Sequence, residues 1–263
     1  MIKKLTRGVL EGLGLKKRRK AESSLGYDFE ASAMALIPLI RAFTMIPVPR
    51  LITLHQQVRY CDSNGIPGAF VECGVWKGGS VGLMALTNLR HATFRRDLHL
   101  FDAFTEICEP DERIDGIRAV QEVRAWTKNK GGTEGNLKAL TGIYDAFGGP
   151  GTLEGNRELL ETTIGYDKDR IHYHPGWFQD TLPQEAPKIG PIAILRLDGD
   201  WYASTKVCLQ HLYDQVVSSG IVIIDDYGTY DGCRKAVDEF IETRNLKILL
   251  NHVDPDCRYW IKP

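Results

Sequence analysis

Between residues 192 and 227 the chain alternates between two kinds of pattern. The apolar run I-A-I-L-R-L ends in Asp198-Gly199-Asp200, and the apolar run I-V-I-I ends in Asp225-Asp226. Between them, Val207, Leu209, Leu212, Tyr213, Val216 and Val217 recur at helical spacing, which predicts a helix over residues 204–219. Ser204 or Thr205 is placed to cap its start and Gly220 its end. A strand, a helix and a strand in this order predict parallel neighbours joined by a right-handed crossover. Both strands then deliver their carboxyl ends to one sheet edge, where open α/β sheets bind ligands. Asp198, Asp225 and Asp226 are expected to converge there.

The same patterning extends through the chain. Residues 31–59 read as two helices broken at Pro47-Val48-Pro49, with Leu51, Leu54, His55 and Val58 on the second. Together residues 23–65 form an expected helical cap or lid. The turn N-G-I-P-G leads into A-F-V-E-C, then the glycine turn Gly74 to Gly79, then the helix-like V-G-L-M-A-L. This is strand, glycine loop and helix, but with G-x-x-x-G-G spacing rather than that of a dinucleotide fingerprint. The next strand, L-H-L-F-D, ends in Asp102, which is placed to accept hydrogen bonds from ribose hydroxyls. Residues 105–150 are polar and long for a connection, which marks an insert within a domain spanning 66–263. A third strand is predicted near residues 171–174, where His172 and His174 alternate, as polar strand residues or as metal ligands without a second supporting pair. A helix over 231–244 and strands over 247–253 and 258–261 complete the pattern.

Composition narrows the possibilities. At 263 residues the chain can bury a full core without disulfides. A net charge of -1 argues against nucleic-acid binding by the whole chain. Its six cysteines are scattered without a C-x-x-C pair, which fits a reducing cytosol and predicts a cytoplasmic protein. No apolar run is long enough for a membrane span, and there is no secretory signal pattern. Residues 1–22 are basic, with apolar positions on one helical face. They read as a solvated extension, or as a short amphipathic helix for an anionic surface or a partner.

The acids carry the chemistry. Two carboxylates about 4 Å apart repel by roughly 4 kcal/mol at an effective dielectric of 20. Three in one cleft need a bound proton or a cation, and a hard divalent ion with oxygen ligands, Mg²⁺ or Ca²⁺, is the simplest answer. Either acid pair alone also reads as a turn or a solvated strand end. Both pairs at the ends of adjacent strands fit that reading less well. Glycine loop and ribose-type acid together point to an adenosine-type ligand.

Four stretches in order, V-E-C-G-V-W-K-G-G-S, P-G-W-F-Q-D-T-L-P, L-D-G-D-W-Y-A-S-T and D-D-Y-G followed by G-C-R-K-A-V-D-E-F, resemble the macrocin O-methyltransferase family. The resemblance runs from about Phe43 to Lys262 and leaves out the basic N-terminus. It implies a Rossmann-like class I methyltransferase fold with a seven-stranded sheet, the last strand antiparallel, and helices on both faces. It implies S-adenosylmethionine as methyl donor, Mg²⁺ as metal, and a small-molecule acceptor, a sugar of a glycosylated natural product. We expect a homo-oligomer that binds no nucleic acid. Asp198, Asp225 and Asp226 match metal ligands, and Asp200 matches an acid that serves as general base in some members. Glu72, Gly74, Val75, Ser80 and Asp102 match donor-binding positions, and Gly176-Trp177-Phe178 matches the loop beside the adenine. Two departures stand out. The run A-F-T-E-I-C-E-P-D replaces a common Leu-Pro after the second-strand acid. No histidine lies between His99 and His172, where the macrolide-sugar branch places a catalytic one. That shifts the expected base to Asp200.

Two other classes compete. A nucleotide-sugar glycosyltransferase can use an Asp-x-Asp to hold metal and diphosphate, but leaves Asp225-Asp226 and the glycine loop unexplained. A non-catalytic adenosine-ligand binding protein has no need of a costly carboxylate cluster.

Overall fold

The computed structural model describes residues 30–263, so the basic segment 1–22 lies outside the described residues. Seven strands form one sheet: β1 (Ala69–Cys73), β2 (Leu98–Asp102), β3 (Ile171–Pro175), β4 (Ile192–Leu197), β5 (Val216–Ile224), β6 (Asn251–His252) and β7 (Arg258–Ile261). Their order is β3-β2-β1-β4-β5-β7-β6. The first five run parallel, and β7 pairs antiparallel with both β5 and β6. The main helices are α1 (Glu30–Ile40), α2 (Val48–Ser63), α3 (Gly79–His91), α4 (Gly116–Trp126), α5 (Leu153–Arg157), α6 (Phe178–Ile189), α7 (Tyr202–Leu212) and α8 (Asp231–Thr243).

Strand alternation splits the core into two layers. Phe70, Ile194 and Ile223 face the layer that contains Leu36, Leu51 and Leu83 of α1, α2 and α3. Val71, Leu195 and Ile224 face the layer that contains Leu182, Leu209 and Val237 of α6, α7 and α8. Both faces are covered, so the central strands are buried throughout, as parallel sheets require. The six cysteines are free and buried. Among the described residues no single helix is long and apolar enough to cross a membrane. The Pro47-Val48-Pro49 break falls where expected, and the Glu30–Phe43 and Val48–Ser63 segments bend by 120° across it.

Three boundaries differ from the sequence reading. The helix predicted over 204–219 begins at Tyr202 and ends at Leu212. A short 3-10 turn, Tyr213–Gln215, follows, and Val216 already belongs to β5. Val216 and Val217 are β-branched and fit either pattern; pairing of Val216 with Ile192 decides for the strand. Gly220 therefore lies inside a bulged strand instead of capping a helix. Neither Ser204 nor Thr205 caps α7. Asp115 does so from a distance, its Oδ1 accepting the Tyr202 N–H at 2.7 Å. The predicted strand 247–253 shrinks to Asn251–His252, because the four-residue β7 offers partners only at Tyr259 and Arg258. The polar stretch 105–150 holds α4, whose Ala119, Val120 and Val123 are buried.

Candidate active site

The strand ends build the site. Backbone bonding continues one step beyond the sheet: Gly74 N–H to Phe101 O, Asp198 N–H to Cys73 O, Asp225 N–H to Leu197 O and Gly176 N–H to Asp102 O, each 2.8–2.9 Å. These bonds set Gly74, Asp102, Gly176, Asp198 and Asp225 along one edge. The strand order reverses between β1 and β4, so a crevice opens there. Gly74 sits at that crevice with φ 87°, and a Cβ on it would stand 1.8 Å from Asp198 O. No side chain fits this position.

A cavity of about 300 Å³ occupies the crevice. Gly74, Val75, Ser80 and Asp102 line it, as do Gly176, Trp177 and Phe178, and Asp198, Asp200, Asp225 and Asp226. Of the site residues named from the sequence, Glu72 alone is not among the lining residues. It is buried behind Ser80, whose hydroxyl donates to both carboxylate oxygens at 2.5 and 2.7 Å, and it pairs with Arg196. Burial pushes its pKa up to about 7, against the pull of Arg196 and Ser80.

Asp102 organises the glycine loop. Its Oδ2 accepts the Val75 and Trp76 N–H groups at 2.6 and 3.0 Å, and its Oδ1 accepts the Phe104 N–H at 2.6 Å. Oδ2 has both lone pairs taken by these amides, and Oδ1 keeps one for a ligand hydroxyl. Burial still raises its pKa despite these donors.

The acids divide into two groups. One carboxylate oxygen each from Asp198, Asp200 and Asp226 lie within 4.8 Å of one another. Asp225 turns the other way, with its Oδ1 2.6 Å from Arg196 Nη2 and its Oδ2 2.6 Å from Arg50 Nη1. Arg196 also reaches Asp198 at 2.9 Å. Asp200 and Asp226 face no lysine or arginine at ion-pair distance among the described residues. Asp226 Oδ2 is buried with no hydrogen-bond donor facing it among those residues. Burial and then Asp198 push the Asp200 pKa up to about 8. Burial and then Asp200 hold Asp226 well above the carboxylate range. Burial likewise raises Asp198, although Arg196 opposes it. Asp200 also has φ 57°, a left-handed conformation that aspartate tolerates better than most residues.

Sequence reasoning missed the two guanidiniums that balance this edge. Arg196 had a signal: a charged residue inside the apolar run I-L-R-L must be paired if buried. Arg50 had none. The three histidines gather away from the crevice: His99 Nδ1 lies 3.1 Å from His174 Nε2, and His99 stacks on His172 with centroids 4.4 Å apart.

A parallel sheet in this order, an antiparallel seventh strand and a glycine loop at the switch point define a class I methyltransferase fold. The chain belongs to the macrocin O-methyltransferase family: residues 15–128 and 158–262 match the family described as Macrocin-O-methyltransferase (TylF). The match starts earlier than the motifs suggested and omits 129–157, the later part of the insert and the whole of α5. Demethyldecarbamoylnovobiocin O-methyltransferase of Streptomyces niveus is 34% identical over 221 residues, 83% of this chain and 75% of the relative. 8-Demethyl-8-(2,3-dimethoxy-alpha-L-rhamnosyl)-tetracenomycin-C 4'-O-methyltransferase of Streptomyces olivaceus is 32% identical over 219 residues, 83% and 75% of the two chains. The solved structure of the O-methyltransferase NovP superposes with a TM-score of 0.66 at 32% identity, covering 84% of this chain and 82% of NovP. The chain is thus an O-methyltransferase, which displaces the glycosyltransferase and non-catalytic readings.

Proposed function

We propose that this enzyme moves the methyl of S-adenosylmethionine to a hydroxyl on a sugar of a glycosylated natural product, with a divalent cation, Mg²⁺, at the acids. The observation that carries this reading is the single cavity that joins the glycine loop and Asp102 to the acid cluster. The relatives' names support the acceptor class, since one of them names a rhamnosyl substrate.

The donor side follows from the loop. The Gly74-Val75 backbone lets a ligand approach closely, and Asp102 offers the remaining lone pair of Oδ1 to a ribose hydroxyl. Gly176, Trp177 and Phe178 flank the cavity where an adenine would lie. Ser80 sits at the start of α3, where its hydroxyl ties the helix to Glu72.

The acid side fits a divalent cation. Its oxygens are crowded, Asp226 Oδ2 lacks a donor, and burial has raised the acids' affinity for positive charge. Asp198 and Asp226 would hold the ion, with Asp225 beside them in the grip of Arg50 and Arg196. A bound Mg²⁺ supplies positive charge that lowers the pKa of a nearby acceptor hydroxyl. Asp200 takes the proton on its carboxylate. A cation beside Asp200 would draw its pKa down, so acidification of the hydroxyl by the ion must supply much of the drive and Asp200 the nearby acceptor. Arg196 holds Asp198 in place and offsets the charge of Glu72 and Asp225. The walls position the acceptor oxygen in line with the methyl carbon and sulfur.

Thermal unfolding with candidate ligands tests the donor. A ligand at a hundred times its dissociation constant stabilises the fold by about 2.7 kcal/mol. S-adenosylmethionine and S-adenosylhomocysteine should raise Tm, and nucleotide sugars should not. A shift with a nucleotide sugar and none with S-adenosylhomocysteine would contradict the proposal.

A further inference from the structure

The cavity has an acidic floor and an apolar mouth. Met45 and Trp126 line it, yet remain 44% and 41% exposed. Phe147, 37% exposed, meets Trp126 edge-on, with centroids 5.6 Å apart and planes at 75°. Single exposed apolar side chains are ordinary. Large ones gathered at a cavity mouth mark a surface that is covered in use.

Tyr144 stands between mouth and floor. It lines the cavity, and its ring lies 6.0 Å from that of Trp76. Burial, Asp200, Asp102 and Asp198 hold its phenol well above the ordinary range, so it stays a neutral O–H donor. Among the described residues that hydroxyl has no hydrogen-bond partner, while the Tyr144 backbone N–H reaches Glu106 Oε2 at 3.4 Å.

The segment that carries Tyr144 and Phe147 is fixed to the glycine loop. Lys77 Nζ donates to Phe147 O and Gly148 O at 2.8 and 3.0 Å. Trp76 Nε1 donates to Gly149 O at 3.3 Å. Gly151 passes so close that a Cβ there would stand 1.8 Å from Trp76 O. A wall pinned in this way loses little freedom on binding, which favours affinity. The family match skips residues 129–157, the stretch that carries Tyr144 and Phe147.

We propose that this wall selects the acceptor: Tyr144 donates its O–H to the sugar next to the methylated oxygen, and Trp126 with Phe147 and Met45 carries an apolar, ring-bearing aglycone. The inference rests on the sugar-acceptor reading above. The aglycone is the fitting occupant because the apolar mouth is continuous with the acidic floor that would hold the sugar.

The test uses matched pairs, 4-nitrophenyl and methyl glycosides of the same sugars, with S-adenosylmethionine and Mg²⁺. Wild type should show a higher kcat/KM for the aryl member. Trp126→Ala should lower that preference by about three- to tenfold, the worth of an aromatic contact. Phe147→Ala should act in the same direction. Tyr144→Phe should lower kcat/KM for both members by about two- to tenfold, the worth of one hydrogen bond. Dissociation constants for S-adenosylhomocysteine and Tm values should stay near wild type, which separates acceptor recognition from loss of fold. Equal use of aryl and methyl glycosides by wild type, or an undiminished preference in Trp126→Ala, would overturn the aglycone shelf. Wild-type kcat/KM values retained by Tyr144→Phe would remove Tyr144. Turnover of neither series by wild type would overturn the sugar-acceptor reading and this inference with it.

Discussion

Arg50 Nη1 lies 2.6 Å from Asp225 Oδ2, which joins the first turn of α2 to the end of β5 across 175 residues of sequence. The same guanidinium holds Asp254 through Nε at 2.6 Å and Asp256 through Nη2 at 2.9 Å. One partly buried fork thus ties the N-terminal helices and the β6–β7 turn to the acid edge. Removing the guanidinium leaves Asp225 with Arg196 alone and deprives Asp254 and Asp256 of it, which for partly buried pairs costs up to about 3 kcal/mol, the low end of the buried-pair range. Arg50→Ala should therefore lower unfolding free energy by up to roughly 3 kcal/mol in urea titrations. Arg50→Lys should recover only part of that, since an ammonium cannot serve three carboxylates from a planar fork. A stability loss under about 0.5 kcal/mol, the surface-pair scale, would show that the fork is not a structural tie.

Asp198 and Asp200 should fail differently. Asp198→Asn should weaken apparent Mg²⁺ affinity, with the rate partly restored by excess Mg²⁺. Asp200→Asn should keep donor and Mg²⁺ affinity but lose turnover by about 10²–10⁴-fold, the range for general base catalysis. Its residual rate should rise with pH as hydroxide replaces the base. Because Asp200 also lies within the oxygen cluster, a Mg²⁺ affinity loss equal to that of Asp198→Asn would make it a ligand instead.

Asp102→Ala should weaken S-adenosylhomocysteine binding by about 1.5–3 kcal/mol, the range for hydrogen bonds to a charged group. The loop should loosen as well, since Val75, Trp76 and Phe104 lose the acceptor of their N–H groups. Amide exchange at these positions and a calorimetric dissociation constant read the two effects separately. An unchanged constant would take Asp102 out of the donor site.

The histidine cluster sets an acid limit. Burial, with His172 nearby, lowers His99 to about 3 and His174 to about 4. Asp97, Glu185 and Lys188 are the other charged groups that face them. Both imidazoles stay neutral in the fold while the unfolded chain takes up protons near pH 6.5. Their contribution is present above pH 6.5 and is lost as pH falls from there toward 4 and then 3. Each adds a slope of at most about 1.4 kcal/mol per pH unit. His99→Gln should flatten stability between pH 6.5 and 4 relative to wild type. Parallel curves for the two proteins would contradict this.

The legible part of this protein was the part written in local pattern. Strand ends are marked by a change from β-branched to acidic residues, so Asp198, Asp225, Asp226 and Asp102 could be placed on one edge before any coordinates. The fold class followed from strands alternating with helical spacing. What could not be read depends on distant meetings. The Arg50 fork with Asp225, Asp254 and Asp256 joins segments with no shared motif, and together with Arg196 it turns Asp225 away from its neighbours. Asp115 capping α7 from the insert is a similar case. The α7–β5 boundary was lost because valines satisfy both periods. Helix α4 was overlooked because it lies inside a stretch that is polar as a whole, although Ala119, Val120 and Val123 fall at helical spacing and are buried. Tyr144 carries no local signal at all; only the docking of its segment on Trp76 and Lys77 brings it over the acids.

The most direct test of the account is transfer of labelled methyl from S-adenosylmethionine to a panel of glycosides, run with a strong chelator and then with Mg²⁺ restored. Wild type should methylate a sugar hydroxyl, transfer nothing in chelator and recover fully with Mg²⁺, whereas Asp226→Asn should not recover. Full transfer in chelator, or label that enters only non-sugar acceptors, would contradict it.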